Sequence, residues 1–263
     1  MPLLPMWARN AAMPVYERRV LKGLEGLPRP QHVGIMLDGN RRWARANGHG
    51  HDVAEGYRAG GAKVETFLGW CAETGVGHVS LFMLSDDNLS GRPEHELVPL
   101  LGIIQDTVTG LAQPGKSWRV QVIGSLDLLP DEHALALKEA ASATADRDGM
   151  LVDVAVGYGG RQEVVDAVKT AFRRHVEGGG DPAEFAGALD TDDISANLYS
   201  PAGADATDLV IRTSGEQRLS GFLLWQSAYS EFYFVDVNWP AFRKADFLRA
   251  LRAFAERDRR YGK

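Results

Sequence analysis

Apolar residues gather in six short runs, at 32–37, 78–84, 118–123, 150–157, 208–212 and 231–236, each bounded by polar or turn-forming residues. Runs of this length fit strands buried on both faces. Between them, apolar positions recur at helical spacing over about 56–74, 94–112, 131–147, 160–175 and 243–257. Strand and helix alternate along most of the chain. That rhythm predicts an α/β fold, a mainly parallel six-stranded sheet covered by helices on both faces. Ahead of it, Val15 to Leu27 shows a short amphipathic helical pattern that Pro28-Arg29-Pro30 ends. The weakest pattern lies at 176–207, where Gly178-Gly179-Gly180-Asp181-Pro182 and Pro201-Ala202-Gly203 mark surface loops around short helices.

At 263 residues and 44% hydrophobic, the chain is long enough for a sizeable core and fits one large domain. Its net charge of -6 disfavours bulk binding to nucleic acid or an anionic membrane, so any anion site has to be local. The single cysteine, Cys71, excludes an internal disulfide and a multi-cysteine zinc site, and it suits a reducing cytoplasm. Two prolines and an arginine break the apolar start of the chain, which makes it a poor signal peptide, and no stretch is apolar for long enough to span a bilayer.

Candidate chemistry sits just after predicted strands, where an α/β sheet opens its ligand crevice. Leu37-Asp38-Gly39-Asn40-Arg41-Arg42-Trp43 follows the first strand. There Asp38 can hold a divalent cation, Gly39 lets the backbone come close, and Arg41 and Arg42 offer forked donors to a phosphate. The same residues also fit an Asp-Gly turn followed by a solvated basic face. Ser85-Asp86-Asp87-Asn88-Leu89-Ser90-Gly91-Arg92 follows the second strand; Ser85, Asn88 and Arg92 are donors, and some of this segment also reads as a cap for the 94–112 helix. The densest polar segment, Arg212 to Phe222, carries Arg212, Arg218 and Ser220, which suit a diphosphate or, alternatively, surface ion pairs. Glu231 opens an aromatic strand, where a carboxylate needs a partner, either a metal shared with Asp38 or an arginine.

Taken with Tyr158-Gly159-Gly160-Arg161, Trp225-Gln226-Ser227-Ala228-Tyr229-Ser230-Glu231 and Arg260-Tyr261-Gly262, these segments resemble the cis-prenyltransferases, the undecaprenyl diphosphate synthase family. The wording from Arg212 to Glu231 is closest to short-chain Z-farnesyl diphosphate synthases of actinobacteria. The resemblance spans about residues 30–262 and implies an N-terminal segment, 1–29, ahead of one catalytic domain, 30–263. It implies that Asp38 carries Mg²⁺ to the diphosphates with Glu231 completing the metal shell, and that Gly39, Asn40, Arg41 and Arg42 hold an allylic diphosphate. Arg212, Arg218 and Ser220 would hold isopentenyl diphosphate, while Ser85 and Asn88 serve the condensation step. Trp43, Tyr57, Asp86, Asp87, Leu89, Arg92 and Leu219 fall in the matching segments and are expected among the substrate-binding residues, and Phe82, Leu84, Leu89 and Trp43 suit apolar walls that keep water from a carbocation. A homodimer is implied, with the 260–262 tail reaching the neighbouring subunit's site.

The chain departs from the family pattern in ways that bear on substrate. Val53 and Tyr57 stand where long-chain bacterial members have an Arg and a His, which leaves the allylic diphosphate to Arg41 and Arg42, with Arg58 and His51 as further candidates. Gln217 replaces a His near the metal and is not counted as a ligand; Gly91 is an insertion before Arg92. Met83 replaces an alanine on the tunnel wall and Leu89 an aromatic. A methionine plug predicts a short product, about C15, made from geranyl and isopentenyl diphosphates as (2Z,6E)-farnesyl diphosphate. The alternatives are a longer-chain decaprenyl or undecaprenyl diphosphate synthase, an irregular lavandulyl-type enzyme and a non-catalytic partner subunit.

Overall fold

The computed structural model describes residues 6–50, 52–200 and 206–257, with side chains described from residue 13 onward. In chain order its helices are α1 (Met6–Gly23), α2 (Asn40–Ala46), α3 (Val53–Glu73), α4 (Asp86–Gly91), α5 (Glu94–Ala112), α6 (Asp131–Ser142), α7 (Gly160–Glu177), α8 (Phe185–Ala188), α9 (Thr191–Ser195) and α10 (Lys244–Ala255). The strands are β1 (His32–Met36), β2 (His78–Ser85), β3 (Arg119–Ile123), β4 (Leu151–Tyr158), β5 (Leu209–Arg212) and β6 (Glu231–Phe234), close to the six apolar runs. They form one sheet in the order β3-β4-β2-β1-β5-β6, and every pairing is parallel.

Strand order sets where a site can form. The chain leaves β1 toward β2 on one side and later returns to place β5 on the other, so the connections diverge beyond the carboxyl end of β1. Such a divergence leaves a crevice, here walled by the segments that leave β1, β2 and β5. Side chains alternate across the strands to fill two cores. Val33, Ile35, Leu209 and Ile211 join the larger core under α3, α5 and α10, where Phe67 packs edge-on against Trp239 and Phe247. Met36, Val210, Tyr158 and Phe222 form the smaller core on the opposite face. Gly34 belongs to this second face: a Cβ there would lie 2.9 Å from Leu223 Cδ1 and 3.2 Å from Phe222, so its absence lets the segment after the Arg212 loop lie flat on β1. Burying a phenylalanine in this way contributes about 1.5–3 kcal/mol.

Two short helices at the crevice, α2 and α4, differ from the sequence reading, which placed loops there. The N-terminal helix also differs, running from Met6 to Gly23 rather than from Val15 to Leu27. The weak 176–207 stretch does hold two short helices, with Asp190 forming a capping box on α9.

Candidate active site

The crevice is a cavity of about 600 Å³ at the carboxyl ends of β1, β2 and β5. Its floor begins with Asp38, two residues beyond β1. The Asp38 N–H donates to Thr213 Oγ1 at 3.0 Å, its Oδ1 accepts the Gly39 N–H at 2.7 Å, and its Oδ2 accepts from Arg212 at 2.9 Å. Burial alone would raise this carboxyl. The Arg212 guanidinium, the Gly39 N–H and Ser214 outweigh it and hold Asp38 below its ordinary value, so it is ionised at neutral pH. Gly39 has φ 99°, a left-handed conformation, and a Cβ on it would lie 2.4 Å from Asn238 Oδ1 and 2.9 Å from Asn238 Cα. A glycine is therefore needed to turn the chain from β1 into α2.

That turn aims the first face of α2 into the cavity. Asn40, Arg41, Arg42 and Arg45 all line it. Asn40 donates to the Leu37 carbonyl at 2.9 Å while its own Oδ1 is buried without a partner. Arg41 meets Glu96 Oε1 at 3.2 Å, and Arg42 donates to the Ser214 carbonyl and hydroxyl, each at 3.0 Å. Across the cavity, buried Arg212 donates to the Arg218 carbonyl and, at 3.2 Å, to Ser220 Oγ, while Arg218 pairs with Glu216. At the end of β2, Ser85 Oγ accepts the Asn88 backbone N–H at 3.0 Å and its side-chain Nδ2 at 2.8 Å, which caps α4 rather than the longer α5. Met83, Asp87 and Arg92 complete this wall. Six arginines (Arg41, Arg42, Arg45, Arg92, Arg212 and Arg218) and two carboxylates (Asp38 and Asp87) line one cavity of a protein whose net charge is -6. The local field is the reverse of the global one and suits a polyanion.

Below the arginines the lining turns apolar. Met36, Leu37, Phe82, Leu84 and Leu100 contribute walls, and Met83, Leu37, Tyr57 and Leu100 also border a second space of about 40 Å³ between α3 and α5. A charged headgroup and an apolar tail thus have adjoining places.

A family model described as "Putative undecaprenyl diphosphate synthase" matches residues 35–262, nearly all of the chain from β1 onward. The chain belongs to the undecaprenyl diphosphate synthase family. It is 57% identical to "Isoprenyl transferase 2" of Streptomyces coelicolor over 97% of this chain and 98% of that one. It is 54% identical to the "(2Z,6E)-farnesyl diphosphate synthase" of Thermobifida fusca over 94% of this chain and 96% of that protein. The crystal structure of lavandulyl diphosphate synthase from Lavandula x intermedia, in complex with dimethylallyl diphosphate, superposes with a TM-score of 0.80 at 30% identity, covering 89% of this chain and 98% of that one. The protein is therefore a prenyl transferase with the cis-prenyltransferase fold.

Several expectations for this prenyl transferase need correction. Glu231 does not share a metal with Asp38 within one chain. It pairs in register with Leu209, which pairs with Val33, so it lies at the amino end of the sheet, two strands from β1, and is held by Arg257. Asp86 and Leu89, one helical turn apart, face β4 rather than the cavity; the Asp86 carboxylate closes on Gly159 and Leu89 packs on the core. Leu219 points away from its neighbours Arg218 and Ser220 onto the Phe222 core. Trp43 stacks on His49, with ring centroids 5.7 Å apart, outside the cavity lining. Arg58 pairs with Glu55 and borders a separate outer groove, while His51 and the Arg260-Tyr261-Gly262 tail lie outside the described residues.

Tyr57, standing where the family has His, does reach the site. It is buried, accepts from Arg92, and lies under that guanidinium at 5.5 Å from the ring centroid. Burial raises its hydroxyl above the ordinary value, so it stays protonated. Sequence reasoning missed two residues. Arg45 was legible as an i+4 companion of Arg41 once 40–46 is helical. Glu96 bridges Arg41 and Arg92 and is largely buried, but nothing in the sequence separates it from an ordinary first-turn acid of α5.

The oxygen donors at Asp38 fit Mg²⁺, which is held by one or two carboxylates plus substrate phosphates. His32, His78 and Asp153 also bring ligand atoms within 4.8 Å of one another, but at the amino ends of the strands. The two imidazoles stack at 3.6 Å and 9°, so their lone pairs lie in two nearly parallel planes and do not meet at one ion. His78 instead bonds Asp153 at 2.7 Å and His32 bonds Ser80 at 2.9 Å.

Proposed function

We propose that the protein condenses isopentenyl diphosphate with geranyl diphosphate to give (2Z,6E)-farnesyl diphosphate, a C15 product. The observation that carries this reading is the position of Met83. It borders both the arginine-lined cavity and the 40 Å³ space between α3 and α5, which supports a role for its side chain in limiting a tail that grows from the one toward the other.

In this reading Asn40, Arg41, Arg42 and Arg45 hold the allylic diphosphate, and Arg212, Arg218 and Ser220 hold that of isopentenyl diphosphate. Asp38, between the two groups, would hold Mg²⁺ against their oxygens; the bound cation offsets diphosphate charge. The allylic C1–O bond breaks and its electron pair leaves with the diphosphate, into the field of Arg41 and Arg42. The terminal alkene carbon of isopentenyl diphosphate bonds to C1. A proton then leaves C2 of that unit to set the new double bond. Asn88 lies beside this step, oriented by Ser85, but a neutral amide is a weak base and a diphosphate oxygen is the better acceptor. Phe82, Leu84 and Leu100 exclude the water that would quench the cation.

A homodimer belongs to the same proposal. It is supported by exposed apolar side chains beside the β6 edge, with Tyr229 at 73% and Phe234 at 38% exposure. So do a cytoplasmic location and the division into an appended segment, 1–29, and a catalytic unit, 30–263. Among the described residues no helix is long and apolar enough to cross a membrane.

The test is Met83→Ala. Cutting the side chain to a methyl should shift the main product upward by at least one isoprene unit under the conditions where the parent stops at C15. An unchanged product profile would contradict the plug. Dimethylallyl diphosphate supplied alone should give no product, and a branched C10 product from it would favour lavandulyl-type chemistry.

A further inference from the structure

The apolar runs that form β1 and β2 both open with a histidine, and the parallel register sets His32 beside His78. Their rings lie face to face at 3.6 Å and 9°, at the end of the sheet opposite the cavity. His32 is 3% exposed and the His78 side chain 12%. The hydrogen bonds around them run in one direction. The Ser80 hydroxyl donates to Asp153 Oδ2 at 3.2 Å, which commits its only proton, so Ser80 Oγ accepts from His32 Nε2 at 2.9 Å. His32 Nδ1 is then an acceptor, and Thr207 Oγ1, two residues before β5, lies 3.3 Å from it. One neutral ring thus ties β1 to both of its neighbours, β2 and β5.

The same bonds decide where an added proton can go. His78 Nε2 meets Asp153 Oδ2 at 2.7 Å; that carboxylate is buried, and its Oδ1 has no hydrogen-bond partner. An imidazolium at His78 offsets its charge. Two more acids face this corner: Asp208, just before β5, accepts the Gln31 and His32 backbone N–H groups, and Glu163 of α7 lies within electrostatic reach of Asp153. A second proton would go to His32 Nδ1, against the Thr207 hydroxyl and one stacking distance from the first cation. Like charges that close are strongly disfavoured away from water.

We infer that His32 and His78 form an acid-sensitive clasp: the folded pair accepts one proton, at His78, and a second parts the amino end of β1 from β2 and β5. In the unfolded chain both histidines take up a proton below about pH 6.5. The unfolded state then binds one proton more than the folded one, so the clasp contributes stability above that pH and loses it as pH falls. The test is urea unfolding of the full chain across about pH 5 to 8, for wild type, His32→Asn, His78→Asn and the double variant. Below about pH 6 the wild-type unfolding constant should rise about tenfold more per pH unit than that of any variant, the weight of one proton. All three variants should share one slope, because either substitution leaves a single ring that takes its proton beside Asp153, and the double variant has none. A slope changed by His32→Asn and not by His78→Asn would show an ordinary buried histidine and overturn the clasp, as would equal slopes for all four proteins. If the variants do not fold, ring-nitrogen NMR of histidine-labelled wild type decides. In the folded protein at about pH 5.5 one ring of the pair should be an imidazolium and the other a neutral Nε2–H ring. Two imidazolium rings, or two neutral ones, would overturn the inference.

Discussion

Asp38 is where the contacts of the site converge: Arg212, Arg42 and the Gly39 and Thr213 groups all meet it or its backbone. Its carboxyl sits below its ordinary value in the folded chain. A group of that kind adds stability above its unfolded value, near 3.9, and loses it as pH falls through the lower folded one. Asp38→Asn should therefore flatten the acid side of the stability-against-pH curve measured by urea unfolding. It should also lower kcat/KM by on the order of 100-fold or more, by removing the carboxylate proposed to hold the Mg²⁺ that offsets diphosphate charge. A variant with wild-type turnover would remove Asp38 from the chemistry. At this scale the sequence was most readable where chemistry and strand ends coincide, as at Asp38, Arg42, Arg212 and Ser220. Glu231 misled because the family resemblance joined it to Asp38, although in a parallel sheet a residue that opens a strand lies at the opposite end from one that follows a strand. The register, Glu231 beside Leu209, places it at the amino end.

At the scale of elements, α2 and α4 explain why the arginines and Asn88 face inward. They contain 7 and 6 residues, well below the length at which a helix holds itself together in water, so periodicity gives no warning of them. They exist because tertiary groups fix their first turns: Gly39 at the start of α2, and Ser85 at the start of α4, where one hydroxyl accepts both Asn88 donors. Ser85→Ala should cost about 1 kcal/mol in chemical denaturation. It should lower turnover by more than that figure implies, since it also frees the Asn88 side chain. A loss of stability without loss of turnover would make Ser85 a cap and nothing more. The six strands and the long helices were legible because buried parallel strands and amphipathic helices are set by local pattern. Their order in the sheet was not, since it depends on which runs meet in space.

Across the whole molecule, two properties of different range combine. The divergence of the chain beside β1 opens the crevice, and six arginines reverse the sign of an acidic protein inside it. Neither is legible in composition, because net charge averages over the surface while the ligand meets only the local field. The arginine-lined cavity and the apolar space that Met83 also borders place a polyanion site next to apolar walls. The most direct test is incorporation of labelled isopentenyl diphosphate with Mg²⁺ and, separately, dimethylallyl, geranyl and E,E-farnesyl diphosphates, with product length and double-bond geometry resolved by chromatography. The account predicts one dominant C15 product with a Z double bond in the newly added unit, made from geranyl diphosphate. A ladder of long polyprenyl products from the same primer would contradict it.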